Sequence, residues 1–418
     1  MIRHIITSEY PPQPGGVSDY TRIVAEGLAA AGDEVHVWCP GLECGDLAPL
    51  SQQALQLDGS HAAEQQSGVK STPREMLARG PRKPPHSKVS VHREMGSFRL
   101  PNLRAASRLL DQFPSPRHVL VQWVPHGYGF HSMNIGICFW LWQRALHGDE
   151  VQLMVHEPSL GFGEGSWKHN IVASVHRLMT IVLLRATRRV WVSIPAWEKR
   201  WRPYTLGRAI EFRWLPVGSN IPVAEAQTES PSIRQRYLNG GGRLVGHFGS
   251  YDANTIELLL KSVSQLMKHD ATLLLLGHGS EHMRAALIES NPELANRVHA
   301  TGSLSADELS RHLVACDLML QPYLDGVSSR RTSTMTALAH GVPVVTTAGK
   351  FTEPLWKASD AVALAPAHDV DELVRSAAQL LPNEMAKQRL AAAAKKLYEE
   401  HFHPRRTIDA LREGLETS

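Results

Sequence analysis

Cysteine is scarce in this chain, with four among 418 residues. Cys39 and Cys44 are near neighbours, Cys138 and Cys316 stand alone, and no spacing suits a disulfide framework, a redox pair or a zinc site. A reducing, cytosolic compartment is the simplest expectation. Charge of one sign is equally short: 44 Lys and Arg against 41 Asp and Glu leave a net charge of +3. That is too small a field to draw nucleic acid, so no such partner is expected. No apolar run is long enough to cross a bilayer. Ile135 to Leu146 is short and carries Gln143 and Arg144, and residues 171–192 are broken by His176, Arg177, Arg185, Arg188 and Arg189. This second segment reads as an amphipathic helix feeding a strand, one face on the core; peripheral membrane contact is its other reading. The first residues, MetIleArgHisIleIle, read as a strand rather than a secretory leader. No Asp-Xaa-Asp motif stands at the end of a strand, so no metal is expected.

What is present is ordinary globular composition, 43% hydrophobic and 20% charged, at a length that calls for two domains. The pattern is α/β throughout. Ile2 to Thr7 reads as a strand, ProProGlnProGlyGly as a loop, Ser18 to Ala31 as a helix capped by Ser18 and ended by Gly32, and GluValHisValTrpCys as the next strand. Further strands are expected at 118–123, 151–156 and 189–193. Residues 60–97, polar and without period, read as a surface insertion. After a polar break at 222–232 a second series alternates: strands at 243–248, 271–276, 297–302, 318–321, 342–347 and 361–364, with helices between them. Two doubly wound Rossmann-like domains follow, 1–220 and 221–395, with a last helical segment at 396–418. An interdomain cleft is expected, because ligands of such sheets lie beyond the carboxyl ends of the strands.

Chemistry-bearing residues concentrate at those strand ends. Arg330 and Arg331 are expected in the first turn of a helix opening near Ser328, where a charge of about +0.5 already stands and cations are unfavourable. An anion such as a nucleotide diphosphate would explain them, with Ser328, Ser329 and Thr332 adding hydroxyls; pairing with surface acids such as Asp325 is the plain alternative. Gly15 and Gly16, between strand and helix, form either a phosphate-approaching loop or a simple turn. His156, followed by Glu157, places an imidazole at a strand end, where it is either functional or structural. His126, in a glycine-containing loop, is a weaker candidate, and His247 is expected to pack. Gly249 and Ser250 offer amides and a hydroxyl to a phosphate, and Gly277 stands in a turn suited to a base or ribose. Glu353 would accept hydrogen bonds from sugar or ribose hydroxyls or cap a short helix. Lys350 is a phosphate contact or plain surface.

Taken together, ProProGlnProGlyGlyValSerAspTyrThr at 11–21, HisGluPro at 156–158, LeuProValGlySerAsn at 215–220, LeuLeuGlyHisGlySerGlu ending at 281, AlaThrGlySerLeu at 300–304 and AlaLeuAlaHisGlyValProValValThrThr at 337–347 resemble the GT-B glycosyltransferases, particularly the retaining family 4. The resemblance covers nearly the whole chain. It implies transfer of a sugar from a nucleotide-diphosphate sugar to an acceptor hydroxyl, with retention and without a metal or other cofactor. The acceptor would be a sugar, a lipid-linked molecule or a small metabolite. It further implies that Gly15 and Gly16 lie near the donor phosphate, His156 beside the transferred sugar, Gly302 beside the nucleobase, and Glu353 at a downstream acidic position. The last helix would cross back to the first domain. Two features depart from the family: His247 stands where an Arg is usual, and Ser328 and Thr336 stand where two glutamates are usual. Arg330 and Arg331 would then supply the missing charge and Asp325 the first glutamate's role. A nucleotide-sugar epimerase, a sugar-phosphate synthase and a non-catalytic nucleotide-binding protein of the same fold remain alternatives.

Overall fold

The structure, a computed structural model, describes residues 1–41, 89–163, 166–224, 230–238, 242–249 and 251–416. Most of the expected insertion at 60–97, Cys44 and Ser250 lie outside the described residues. The first strands and helices are β1 (Ile2–Ile6), α1 (Gly16–Ala30), β2 (Glu34–Trp38), β3 (Val89–His92), α2 (Leu100–Leu110), β4 (His118–Trp123), α3 (Ile135–Leu146) and β5 (Glu150–Val155). They continue as α4 (Trp167–Ala186), β6 (Thr187–Val192), α5 (Pro195–Trp201) and β7 (Glu211–Trp214). The second series is α6 (Ser230–Tyr237), β8 (Arg243–Phe248), α7 (Ala253–Leu266), β9 (Ala271–Leu276), α8 (Ser280–Ser290), β10 (Val298–Ala300), α9 (Ala306–Ala315) and β11 (Leu318–Gln321). It ends with α10 (Thr332–His340), β12 (Val344–Ala348), α11 (Pro354–Ala358), β13 (Ala363–Pro366), α12 (Val370–Leu380), α13 (Glu384–Leu397) and α14 (Pro404–Glu416).

The strands form two sheets, of seven in the order β3-β2-β1-β4-β5-β6-β7 and of six in the order β10-β9-β8-β11-β12-β13. Pairing is parallel from β3 to β5 in the first and across the whole second sheet. Parallel strands are covered on both faces, and they read as continuous apolar runs such as ThrLeuLeuLeuLeu in β9. This is the doubly wound α/β architecture expected from the alternation. The strand order reverses beside β1 and again beside β8, and crevices open at such points.

By its contacts the chain divides into two compact units: Met1–Val190 with Trp201–Glu211, and Trp191–Arg200 with Phe212–Ser418. The C-terminal helices group with the second unit. There Phe402 stacks on Trp356 with centroids 5.6 Å apart, and Ser219 N donates to the Tyr398 hydroxyl at 3.3 Å.

Three local expectations need correction. Residues 89–92, inside the expected insertion, form the edge strand β3, whose short, half-exposed ValSerValHis has no strong pattern. Helix α1 starts at Gly16, and Gly15 occupies the capping position. Ser18 does not cap; its hydroxyl donates to Gln13 O, while its backbone N–H donates to Glu9 Oε1 at 2.9 Å. Helix α10 opens at Thr332, not Ser328, so both arginines precede it. Ser328–Arg331 forms a tight turn in which Arg331 N donates to Ser328 O at 3.0 Å.

Candidate functional site

In the second unit the residues after β8, β11, β12 and β13 enclose a cavity of about 840 Å³. Its wall includes Asp252 and Thr255 at the start of α7, Tyr323 and Asp325 after β11, Arg330 and Arg331 before α10, Lys350 after β12, and His368 after β13. The loop after β11 is held open by backbone geometry. Gly326 has φ +83°, and a Cβ there would sit 2.1 Å from Gly349 N, so only glycine fits. Val327 N donates to Thr347 O at 2.7 Å and Phe351 N to Asp325 O at 3.0 Å, tying this loop to the one after β12.

Both arginines are gripped by one carboxylate. Asp325 Oδ2 accepts from Arg330 Nη2 at 2.7 Å, and Asp325 Oδ1 accepts from Arg331 Nη2. The pairing with Asp325, the plain reading of the arginines, is therefore real. It leaves one unit of positive charge over on the trio, and Lys350 adds another in the same wall. Each guanidinium also lies over aromatic rings: Arg331 is 4.4 Å from the Tyr323 centroid, and Arg330 is 5.6 Å from Trp197 and 5.8 Å from Phe351. Planar, donor-rich groups fixed this way suit bidentate contact with phosphate oxygens.

The turn bearing the arginines is anchored from below. Ser329 N donates to Glu353 Oε1 at 3.0 Å, the Ser329 hydroxyl contacts both Glu353 and Ser193 O, and Trp214 Nε1 donates to Ser329 Oγ at 3.0 Å. Glu353 Oε2 accepts from Trp356 Nε1 at 2.7 Å. Glu353 is thus a buried anchor spent on protein donors, and it makes no side-chain cap on α11. Ser329 is fully buried in the same network, and Ser328, buried as well, has a hydroxyl with no partner among the described residues. Thr332, the first residue of α10, is half-buried.

Other expected residues fall around this centre unevenly. Gly249, at the end of β8, lies against the start of α10, where a Cβ would meet Ser333 Oγ at 3.3 Å. His247 is buried; its Nδ1 donates to Leu320 O at 2.8 Å, and burial lowers its pKa to about 4. It supplies no cation where the family resemblance places one. Gly277 and Gly302 belong to a different cluster at the ends of β9 and β10. Gly277 N donates to Thr301 Oγ1 at 3.1 Å, Gly302 N donates to Ser280 Oγ at 3.0 Å, and Glu281 stands beside Gly302. They do not line the cavity.

The first unit has its own cluster at the ends of β1, β4 and β5. At the start of α1 the Ser18 and Val17 amides donate to the Glu9 carboxylate, an internal anion. A Cβ on Gly15 would fall 2.2 Å from Glu9 Oε1, whereas Gly16 has open space. Burial pushes the Glu9 carboxyl up, against the pull of the Ser18 and Val17 amides. His156 Nε2–H donates to Gln122 Oε1 at 2.8 Å, and the Tyr20 ring meets the imidazole edge-on at 4.9 Å. Burial holds the His156 pKa down at about 3, so the ring is neutral, and with Nε2 protonated its Nδ1 is the acceptor nitrogen. The buried Gln122 amide nitrogen and Tyr20 hydroxyl have no partner among the described residues. His126 lies 3.5 Å from Glu157 and is half-exposed.

Sequence reasoning passed over Glu9, Tyr20, Gln122, Tyr323, Thr255 and His368. The signal it could have used was position alone, since Glu9, Tyr323 and His368 each lie two or three residues beyond a strand. Among the described residues no group of three or more His, Cys, Asp or Glu could hold a metal ion.

Residues 242–383 match the family Glycosyl transferases group 1. No curated protein matches the sequence at a significant level. Among solved structures the chain is similar to the sucrose-phosphate synthase of Thermosynechococcus elongatus, with 17% identity, a TM-score of 0.68 and all of both chains covered. It is also similar to HepE of Anabaena in complex with UDP, at 14% identity, TM-score 0.66 and full coverage of both chains. A third is WaaG, a glycosyltransferase involved in lipopolysaccharide biosynthesis, at 14% identity and TM-score 0.60, covering 98% of this chain and 99% of that one. The likeness runs through both units, and the fold is GT-B.

Proposed function

We propose that the chain is a glycosyltransferase, a reading supported by the group 1 match at 242–383 and by the GT-B fold, and that it moves a sugar from a nucleotide-diphosphate sugar to an acceptor hydroxyl, with retention at the anomeric carbon. The observation that carries this reading is the cavity wall in which Arg330, Arg331 and Lys350 outnumber its two carboxylates, Asp252 and the Asp325 that holds the arginines. Two guanidiniums fixed before a helix start are placed to neutralise charge that grows on a departing diphosphate. Gly249 lies beside Ser333 in the first turn of α10, directly after the two arginines. His156, neutral and accepting at Nδ1, takes a hydrogen bond from a sugar hydroxyl rather than a proton from the acceptor. Guanidinium charge takes the place of a metal ion, so chelation with EDTA leaves turnover unchanged.

HepE was crystallised with UDP and with UDP-glucose, so uridine nucleotides are the first donors to test. The experiment is release of free nucleoside diphosphate from a panel of nucleotide sugars, with and without sugar, lipid-linked and small-metabolite acceptors. Acceptor-dependent release with one donor supports transfer, and the anomeric proton of the product reads retention. Nucleotide binding without release from any donor would favour the non-catalytic reading, and interconversion of the donor sugar alone would favour an epimerase. Failure of every nucleotide to bind would end the proposal.

A further inference from the structure

Helix α4 is apolar on two opposite sides. Its inner side buries Ala173, His176, Met179, Val182 and Leu183. Its outer side runs through Trp167, Ile171, Ser174, Leu178 and Ile181, the four-three spacing of a single helical face interrupted by one polar residue, and there Trp167 is 69% exposed, Ile171 49% and Leu178 48%. Helix α3 packs beside α4 and leaves Phe139 and Leu146 exposed in turn, the latter at 71%. Phe162, just before α4, is exposed as well and carries the Arg177 guanidinium 3.5 Å above its ring.

A helix in water normally turns carboxylates and ammoniums outward in mixture. The 32 residues of α3 and α4 contain no Asp or Glu. Their exposed charge is basic: Lys168 beside Trp167, Arg185 in the last turn of α4 and Arg188 two residues past its end. Exposed tryptophan and aliphatic side chains on helices that themselves carry cations and no carboxylate are the chemistry of an interfacial helix face, and a patch of this kind marks an interaction surface. No described helix is long and apolar enough to cross a membrane, so the face would lie on a bilayer. Self-association fits less well, because it would bring together two helix pairs that carry cations and no carboxylate of their own.

We propose that the outer face of α3 and α4 docks on a bilayer surface carrying anionic phospholipid, with Trp167, Ile171 and Leu178 entering the interface and Lys168 and Arg185 meeting headgroup phosphates. The surface belongs to the first unit and is independent of the nucleotide cavity.

The test is co-sedimentation of the full chain with phosphatidylcholine vesicles with and without phosphatidylglycerol. Binding is expected only with the anionic lipid and weakens as salt is added. Trp167→Ser combined with Ile171→Ser should weaken it at least about tenfold, and Arg185→Glu should weaken it while leaving the thermal melt of the chain as in the parent. Binding to neither vesicle overturns the proposal, as does binding that both variants leave intact. A dimer in sedimentation analysis that the double variant dissociates, without vesicle binding by the parent, assigns the face to a second copy instead.

Discussion

Asp325 spends each of its oxygens on a different arginine, so under the proposed function a diphosphate would compete with an internal anion for the same guanidiniums. This fixes opposite signs for neighbouring substitutions. Arg330→Ala or Arg331→Ala removes charge-assisted hydrogen bonds worth about 1.5–3 kcal/mol each, a loss of roughly 10- to 100-fold in nucleotide affinity. Asp325→Asn frees the pair and should tighten UDP binding several-fold. Calorimetry on the three variants decides, and weaker binding by Asp325→Asn would mean that the carboxylate itself serves the ligand. The arginines stood out in the sequence because a first helical turn was expected to hold them, a placement the structure moves to the turn before α10, and Asp325 because it lies five residues away. Gln122 was not legible as the partner of His156. The two are 34 residues apart, and only the parallel register of β4 on β5 brings them within 2.8 Å.

At the scale of elements, the site depends on two loops that interlock through glycine. Gly326→Ala places a Cβ against the Gly349 backbone nitrogen at a φ that L-residues rarely adopt. Neither cost can be relaxed by a side-chain rotation, so about 2 kcal/mol or more of stability is lost, and nucleotide affinity falls with it. Equal melting temperatures and equal UDP affinity in parent and variant would show that the loops are not coupled as described. Glu353→Ala should cost a similar amount by leaving Ser329 N and Trp356 Nε1 buried without a partner. The same anchor explains why the start of α10 was misplaced by four residues. Ser328 to Arg331 has helical composition, but Ser329 N is taken by Glu353 and Ser329 O accepts from Val217 N at 2.9 Å. Partners 24 residues downstream and more than a hundred upstream leave no mark on local periodicity. By contrast β8, β9 and β11 were legible to the residue, since buried parallel strands are mainly apolar segments between turn residues.

For the molecule as a whole, buried histidine sets the response to acid. Burial holds His4 and His156 at pKa values of about 3, and His176 and His247 at about 4. In the unfolded chain all four take a proton near pH 6.5. Between those limits the unfolded state binds more protons than the folded one, so stability is complete above about pH 6.5 and is lost as the pH falls toward 4. Each group contributes up to about 1.4 kcal/mol per pH unit within that window. Glu9 acts in the opposite sense, because a carboxyl whose pKa is raised by burial takes its proton more readily when folded, but it is one group against four. The melting temperature should therefore drop steeply from pH 6.5 to 4. His247→Gln keeps a donor for Leu320 O and removes one titrating ring, so its melting temperature should fall less steeply over the same range. Identical slopes for parent and variant, or a parent whose melting temperature does not change across the window, would mean that these imidazoles are not the groups that acid attacks.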